Sequence, residues 1–436
     1  MTKNPTELSI IIQNLKDGNL DDSLKQLKGI IINNSNKNLV YKIFASIYFQ
    51  KQNWENAIEY YQKMLSFEDK KFGIYNNIGV ALFNLGRINQ SIKIYKKAII
   101  ENPNFDLVYN NMGISYNELG AYEEAAKHFS QALTLNDNNH NAKNNLIDLF
   151  LVANLEKKNE HPLIKINNKI KNINNKITIN GSINLEHVKD ILNESDNIIK
   201  TYQIEFNYNE TQLYRKNSNN LDCKRHFKVF NEFNIIPKYC FACYKIQINL
   251  GNVVDLIKLF FIFDNLSLEK NNIRKCITET RNNIPGNYKG YIYCNGIDEA
   301  QQISDKISDI TNRIKFEKIE IIIKHGCSEF YESYPEYKKI NVNNGKQMEY
   351  KDNWKEKELI IDNKIPIRNE LDKKKFNKSL KGINLSDILI IKNWICYANL
   401  IGDFSYKDIY SKEAESSFIN KILEPQLAFR KKNLLK

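Results

Sequence analysis

The chain lacks several things, and each absence excludes a class of protein. No run of eighteen or more apolar residues occurs among its 436 positions, so no membrane-spanning helix and no membrane partner are expected. The opening MTKNPTELSI has no charged-then-apolar secretory layout, which makes the cytoplasm the expected location. Cysteines number only seven, an odd and widely spaced set unlike a secreted disulfide framework. Histidines number six, at 128, 140, 161, 187, 226 and 325, and none lies at metal-ligand spacing from another. There is no glycine-rich phosphate loop, no paired-carboxylate metal signature and no His-x-Asp facial triad. No cofactor and no catalytic residue is therefore expected.

What is present begins with charge. The length suits two or three domains, and 42% hydrophobic with 26% charged residues fits a globular protein. The formal charge is +12, and its placement is uneven. Residues 1–139 hold 15 Lys/Arg against 14 Asp/Glu, so the surplus lies in the later part of the chain. Such a surplus suits nucleic acid or an acidic partner, and it also serves solubility.

A pattern is then stated and repeated thirty-four residues later. From Tyr75 the chain reads YNNIGVALFNLGRINQSIKIYKKAIIENPNF, and from Tyr109 it reads YNNMGISYNELGAYEEAAKHFSQALTLNDNN. Each copy carries two apolar stripes at helical spacing, broken by Leu-Gly. Small residues at Gly79, Gly113, Ser91, Ala98, Ala125 and Ala132 allow close helix approach, and Tyr75, Tyr95, Tyr109 and Phe129 fill the remaining space. Self-similarity at this period marks a stacked array, because one hairpin cannot bury its apolar face alone. The pattern resembles the tetratricopeptide repeat. Extending the register gives repeats at 4–37, 38–71, 72–105 and 106–139, a capping helix at 140–157, and a short right-handed all-α solenoid over 4–157.

Residues 158–183, polar and low in complexity, read as an extended linker without helical periodicity. A second domain at 184–336 follows. Strands are expected at Tyr244–Leu250, Ile273–Glu279, Tyr288–Cys294 and Ile319–Lys324, and helices at Val253–Asn265 and Asp298–Arg313. That order, βαββαβ, is the α+β ferredoxin-like motif. Residues 337–436 read as a C-terminal extension in which 386–401 forms a buried helix or strand pair. The fold class is thus multidomain, a solenoid followed by an α+β domain.

Three sets of residues could carry function. The doublets Asn76-Asn77, Asn110-Asn111 and Asn144-Asn145 recur at one register. A primary amide donates and accepts, so it can hold a peptide backbone whatever the side chain. The doublets resemble the asparagine ladder in the repeat domain of O-linked N-acetylglucosamine transferases, which implies peptide binding by the first helix of each repeat; the 38–71 copy has Ile43 instead. In the second domain, Lys289-Gly290-Tyr291-Ile292-Tyr293-Cys294 resembles the aromatic signature of RNA-recognition motifs. That implies base stacking on Tyr291 and Tyr293 beside Lys289. Cys240-Phe241-Ala242-Cys243 has metal-knuckle spacing; with Cys276 and Cys294 it makes the candidate metal set, although an extended strand would splay residues three apart and buried structural thiols are expected instead. Cys327 beside His325 is a further redox candidate.

Together these observations predict a protein-binding adaptor. Its repeats would take an extended protein segment, and its basic α+β domain has no assigned role. Two alternatives stand beside it: an enzyme with chemistry on Cys or Tyr of the later domain, and an RNA-binding protein using the open sheet.

Overall fold

The computed structural model describes residues 7–30, 37–155, 161–173, 183–215, 223–270, 272–282, 284–340, 347–364, 379–412 and 416–434. They form two compact units, one up to Leu146 and one from Ile147 onward. No helix among them is long and apolar enough to cross a membrane.

The first unit is a series of helical hairpins: α1 (Glu7–Lys16) with α2 (Leu20–Lys28), α3 (Lys37–Gln50) with α4 (Trp54–Met64), α5 (Phe72–Asn84) with α6 (Ile88–Glu101), and α7 (Asp106–Glu118) with α8 (Tyr122–Leu135). Helix α9 (His140–Leu149) crosses the division between the units. The bend of every hairpin falls at the same place in the period. Gly18, Gln52, Gly86 and Gly120 all have positive φ, between 56° and 83°. At Gly86 the turn is closed by Gly86 N–H to Phe83 O and Arg87 N–H to Leu82 O, and the same pair of bonds recurs at Gln52 and Gly120. This is the left-handed cap that ends a helix most readily with glycine, since a Cβ there meets the carbonyl. Gln52 is the exception. Gln52→Gly is therefore expected to stabilise the first unit by about 1 kcal/mol, read as a higher denaturation midpoint; no gain would show that the α3–α4 bend carries no strain.

Hairpins close on small residues. A Cβ on Gly79 would lie 2.3 Å from the Tyr95 ring, and one on Gly113 would lie 2.5 Å from the Phe129 ring. Both rings are fully buried. Here local sequence becomes packing: glycine is retained inside a helix, against its propensity, because a ring occupies the space of its side chain.

The second unit comprises α10 (Pro162–Asn172), α11 (Leu185–Thr201), β1 (Gln212–Arg215), α12 (Cys223–Phe233), β2 (Cys243–Leu250), α13 (Val253–Asn265), β3 (Arg274–Thr278), β4 (Tyr288–Asn295), α14 (Ile297–Arg313), β5 (Ile319–His325), α15 (Trp354–Lys364), α16 (Leu385–Ile401), α17 (Ser417–Leu423) and α18 (Leu427–Leu434). Its strands form one sheet in the order β1-β3-β4-β2-β5, with every neighbouring pair antiparallel. Period-two alternation sorts the two faces. Ile246, Ile248, Gly290 and Ile292 face α13, where Leu259 and Phe263 press against Gly290. The opposite face carries Lys245, Gln247, Lys275, Lys289, Tyr291, Tyr293 and Lys324.

Two expectations change. The stretch 158–183 is not a featureless linker where it is described: α10 runs through it, capped by His161 accepting from Leu163 N–H and led by Pro162. Buried Leu163, Ile166, Asn167 and Ile170 follow helical spacing, a stripe hidden by the surrounding Asn and Lys. Residues 158–160 and 174–182 of that stretch lie outside the described residues. Nor is 337–436 an appendage, because α16 is central to the second unit. Asn384 and Asp387 form a reciprocal capping box at its start, and Gly402 at φ 91° ends it. Trp394 Nε1 donates to Thr211 O at 2.9 Å and the Tyr397 hydroxyl donates to Glu279 O at 2.9 Å. Sequence left helix and strand open there because 386–401 is apolar on nearly every side, which erases the period.

Candidate functional site

On the repeat hairpins the asparagine doublets lie on the first helices, and their amides bond to one another. Asn111 Nδ2 donates to Asn76 Oδ1 at 2.9 Å, and Asn145 Nδ2 donates to Asn110 Oδ1 at 2.9 Å. Asn76 Nδ2 reaches Asn77 Oδ1 at 3.5 Å, and Asn77 hydrogen-bonds Tyr61 of the preceding hairpin. Asn110 is buried, whereas Asn76, Asn77, Asn111, Asn144 and Asn145 are half-buried. A second brace joins the hairpins below, where the buried Ser91 and Ser115 hydroxyls are 3.2 Å apart. Each amide has two donor hydrogens and two acceptor lone pairs, so a single bond between doublets uses a fraction of that capacity. The doublets thus tie successive hairpins together, a role their spacing alone did not reveal.

On the sheet, register brings the polar side chains into rows across strands. One row reads Tyr214, Lys275, Tyr291, Gln247, Ile322; the next sets Tyr293, Lys245 and Lys324 side by side. The Lys275 ammonium lies over three rings, 5.8 Å from Tyr214, 5.2 Å from Tyr291 and 6.0 Å from Tyr293. Lys245 lies 5.4 Å over Tyr293 and donates to Cys327 Sγ at 3.1 Å. Burial, reinforced by neighbouring Lys245 and Arg281, pushes Lys275 down to about 8. Burial likewise lowers Lys324, with Lys245 adding to it. Two carboxylates share this face: Glu320, which accepts from Asn249 Nδ2 at 2.7 Å, and Glu279. Burial works against the Glu279 charge, but hydrogen bonds from Arg281 and Lys289 hold it at about 2.

These contacts alter the reading of Lys289, Tyr291 and Tyr293. Lys289 is buried and committed to Glu279 Oε2 at 2.8 Å. Tyr291 is only 8% exposed, so its ring face is not presented for a base to stack on. Tyr293 is half-buried beneath Lys245. The strand positions had been legible as a short aromatic motif. The cations around them, on three other strands, were not.

The cysteine set is rearranged as well. Cys276 and Cys294 point to the helix-covered side of the sheet and are buried. Cys240 and Cys243 instead line a small cavity with Cys223, His226 and Cys327. Burial pushes the Cys243 thiol up to about 12 and raises Cys240 further. Among the described residues no three His, Cys, Asp or Glu side chains come together closely enough to hold a metal ion. His325 does not pair with Cys327: its ring nitrogens meet Tyr337 O at 2.7 Å and Phe241 O at 3.0 Å.

The hairpins of the first unit, with their fixed period, bends at positive φ and small-to-aromatic closure, define a helical repeat protein in this third of the chain. Residues 72–105 and 107–139 each match the tetratricopeptide repeat, and these two hairpins are tetratricopeptide repeats. Repeats of this kind generally mediate protein–protein interaction. Similar solved structures include "MamA MSR-1 C2", 29% identical over 30% of this chain and 75% of that one, with a TM-score of 0.28. They also include the "Arabidopsis OM64 TPR domain", 25% identical over 27% of this chain and 97% of that one, with a TM-score of 0.25. No curated protein is significantly similar in sequence.

Proposed function

We propose that the chain is an adaptor whose repeats, at 4–37, 38–71, 72–105 and 106–139 with a cap from 140, hold an extended segment of a partner protein along their first helices. The observation that supports this most is the run of half-buried amides on α5, α7 and α9, braced by one another in a fixed orientation. A preorganised amide loses little freedom when it meets a peptide group, so more of its hydrogen-bond energy goes into binding. The second unit, on this reading, is a ferredoxin-like βαββαβ sheet, and the order β3-β4-β2-β5 with helices α13 and α14 on the connections supports that assignment.

The test uses the full-length chain and an arrayed panel of unstructured peptides. Joint replacement of Asn77, Asn111 and Asn145 by Ala should weaken capture roughly tenfold or more, since each lost hydrogen bond is worth about 1 kcal/mol. Undiminished capture by a folded variant would remove the amides from the binding surface.

A further inference from the structure

Lys245, Lys275 and Lys324 converge on the sheet face away from α13, with Arg281 beside them. We propose that this face binds a small ligand carrying a phosphate or diphosphate group, with those four cations as its partners.

The case begins with register. Lys245 and Lys324 are directly opposed on neighbouring antiparallel strands, and like charges so placed destabilise a sheet. Lys275 sits on the far side of β4 from Lys245, close enough for the two to repel. Among the described residues no carboxylate pairs with Lys245, Lys275 or Lys324. Their contacts are a thiol for Lys245, the Gln212 amide at 3.4 Å for Lys275, and tyrosine rings for both. Rings attract a cation but carry no net charge, so they leave the mutual repulsion standing. Glu279 relieves it only in part: its charge favours the ammonium forms of Lys275 and Lys324, but its ion pairs go to Lys289 and Arg281.

A surface lysine solves this problem by reaching into water. Here Lys245, Lys275 and Lys324 are each half-buried, and burial is what lowers Lys275 and Lys324, so the ammonium groups are held partly away from solvent and near one another. A cluster built this way is poised for a multivalent anion, whose arrival would replace repulsion with charge-assisted hydrogen bonds. The geometry favours a compact anion over a nucleic-acid strand. The cations are clustered in one patch, and the Tyr291 ring that a base would need is covered.

Thermal unfolding of the full-length protein at constant ionic strength is the test, with inorganic pyrophosphate, ADP and a single-stranded RNA oligonucleotide as separate probes. Pyrophosphate or ADP is expected to raise Tm well beyond matched sodium sulfate. Lys275→Met should raise Tm without ligand, because it removes one member of a repelling set, and should weaken pyrophosphate binding at least tenfold by calorimetry. Lys324→Gln provides a second variant and should do the same to affinity, while Lys97→Gln, on α6, should leave it unchanged. A residue that merely supported the fold would lower Tm when replaced. No stabilisation by pyrophosphate or ADP, unchanged affinity in a folded Lys275→Met or Lys324→Gln protein, or binding of RNA that pyrophosphate does not compete would each overturn the proposal.

Discussion

Arg215→Ala is expected to destabilise the second unit by about 3–5 kcal/mol. Arg215 ends β1 and is 3% exposed, and its guanidinium joins three distant parts of the chain. Nε donates to Asp264 Oδ1 of α13 at 2.5 Å, while Nη1 and Nη2 grip Asp387 of α16 at 3.0 and 2.9 Å. Nη2 also donates to Gly382 O, and the group lies 4.7 Å over the Phe260 ring. Burial pushes Asp387 up even with Arg215 beside it, which shows how costly its charge is at that depth. Removing the arginine strips two buried carboxylates of the hydrogen-bonded cation that joins them, and that is where the large cost arises. Arg215→Lys should fall between, since an ammonium cannot reproduce the two-pronged grip on Asp387. Denaturant unfolding with hydrogen exchange on α13 and α16 measures the effect; a loss below 1 kcal/mol would mean the triad is not holding these elements together.

The second large effect is a matched pair of substitutions in one helix. Gly79→Ala should destabilise the first unit by about 1–3 kcal/mol, although alanine is the better helix former. Its methyl group would land 2.3 Å from the buried Tyr95 ring. Gly73, also in α5, has nothing within 4 Å of the corresponding point, so Gly73→Ala should be neutral or stabilising by up to about 1 kcal/mol. The repeat before shows what accommodation requires. It has Ala45 where this one has Gly79, and its Tyr61 is 7% exposed against 1% for Tyr95. Relief therefore means moving a buried ring outward. Equal denaturation midpoints for the two variants would contradict the close fit between α5 and α6.

The repeats were readable because the contacts that shape each hairpin lie within one period: Gly79 with Tyr95, and the bend at Gly86 and Arg87 closing onto Phe83 and Leu82. The strands of the second unit were readable for a similar reason, since alternation along Tyr244–Leu250 states which side is buried. What could not be read was anything joined across long separations. Arg215 meets Asp387 from 172 residues away, so nothing local to either marks the pair. The cation cluster was missed because each lysine is an ordinary polar residue on its own strand, and only the pairing of β3 with β4 and of β2 with β4 and β5 brings them together. The α10 helix was missed for a different reason: composition bias overrode a short apolar stripe.

The bonds between asparagine doublets span thirty-five residues, one more than the period of the bends. The α7 doublet thus holds out an acceptor, Asn110, for the helix after it and supplies a donor, Asn111, to the helix before. An array wired in this way can be lengthened by copying a unit internally, because the duplicate arrives with both halves of the connection. It cannot be extended in the same manner toward the amino terminus, where Lys42 and Ile43 occupy the doublet's place.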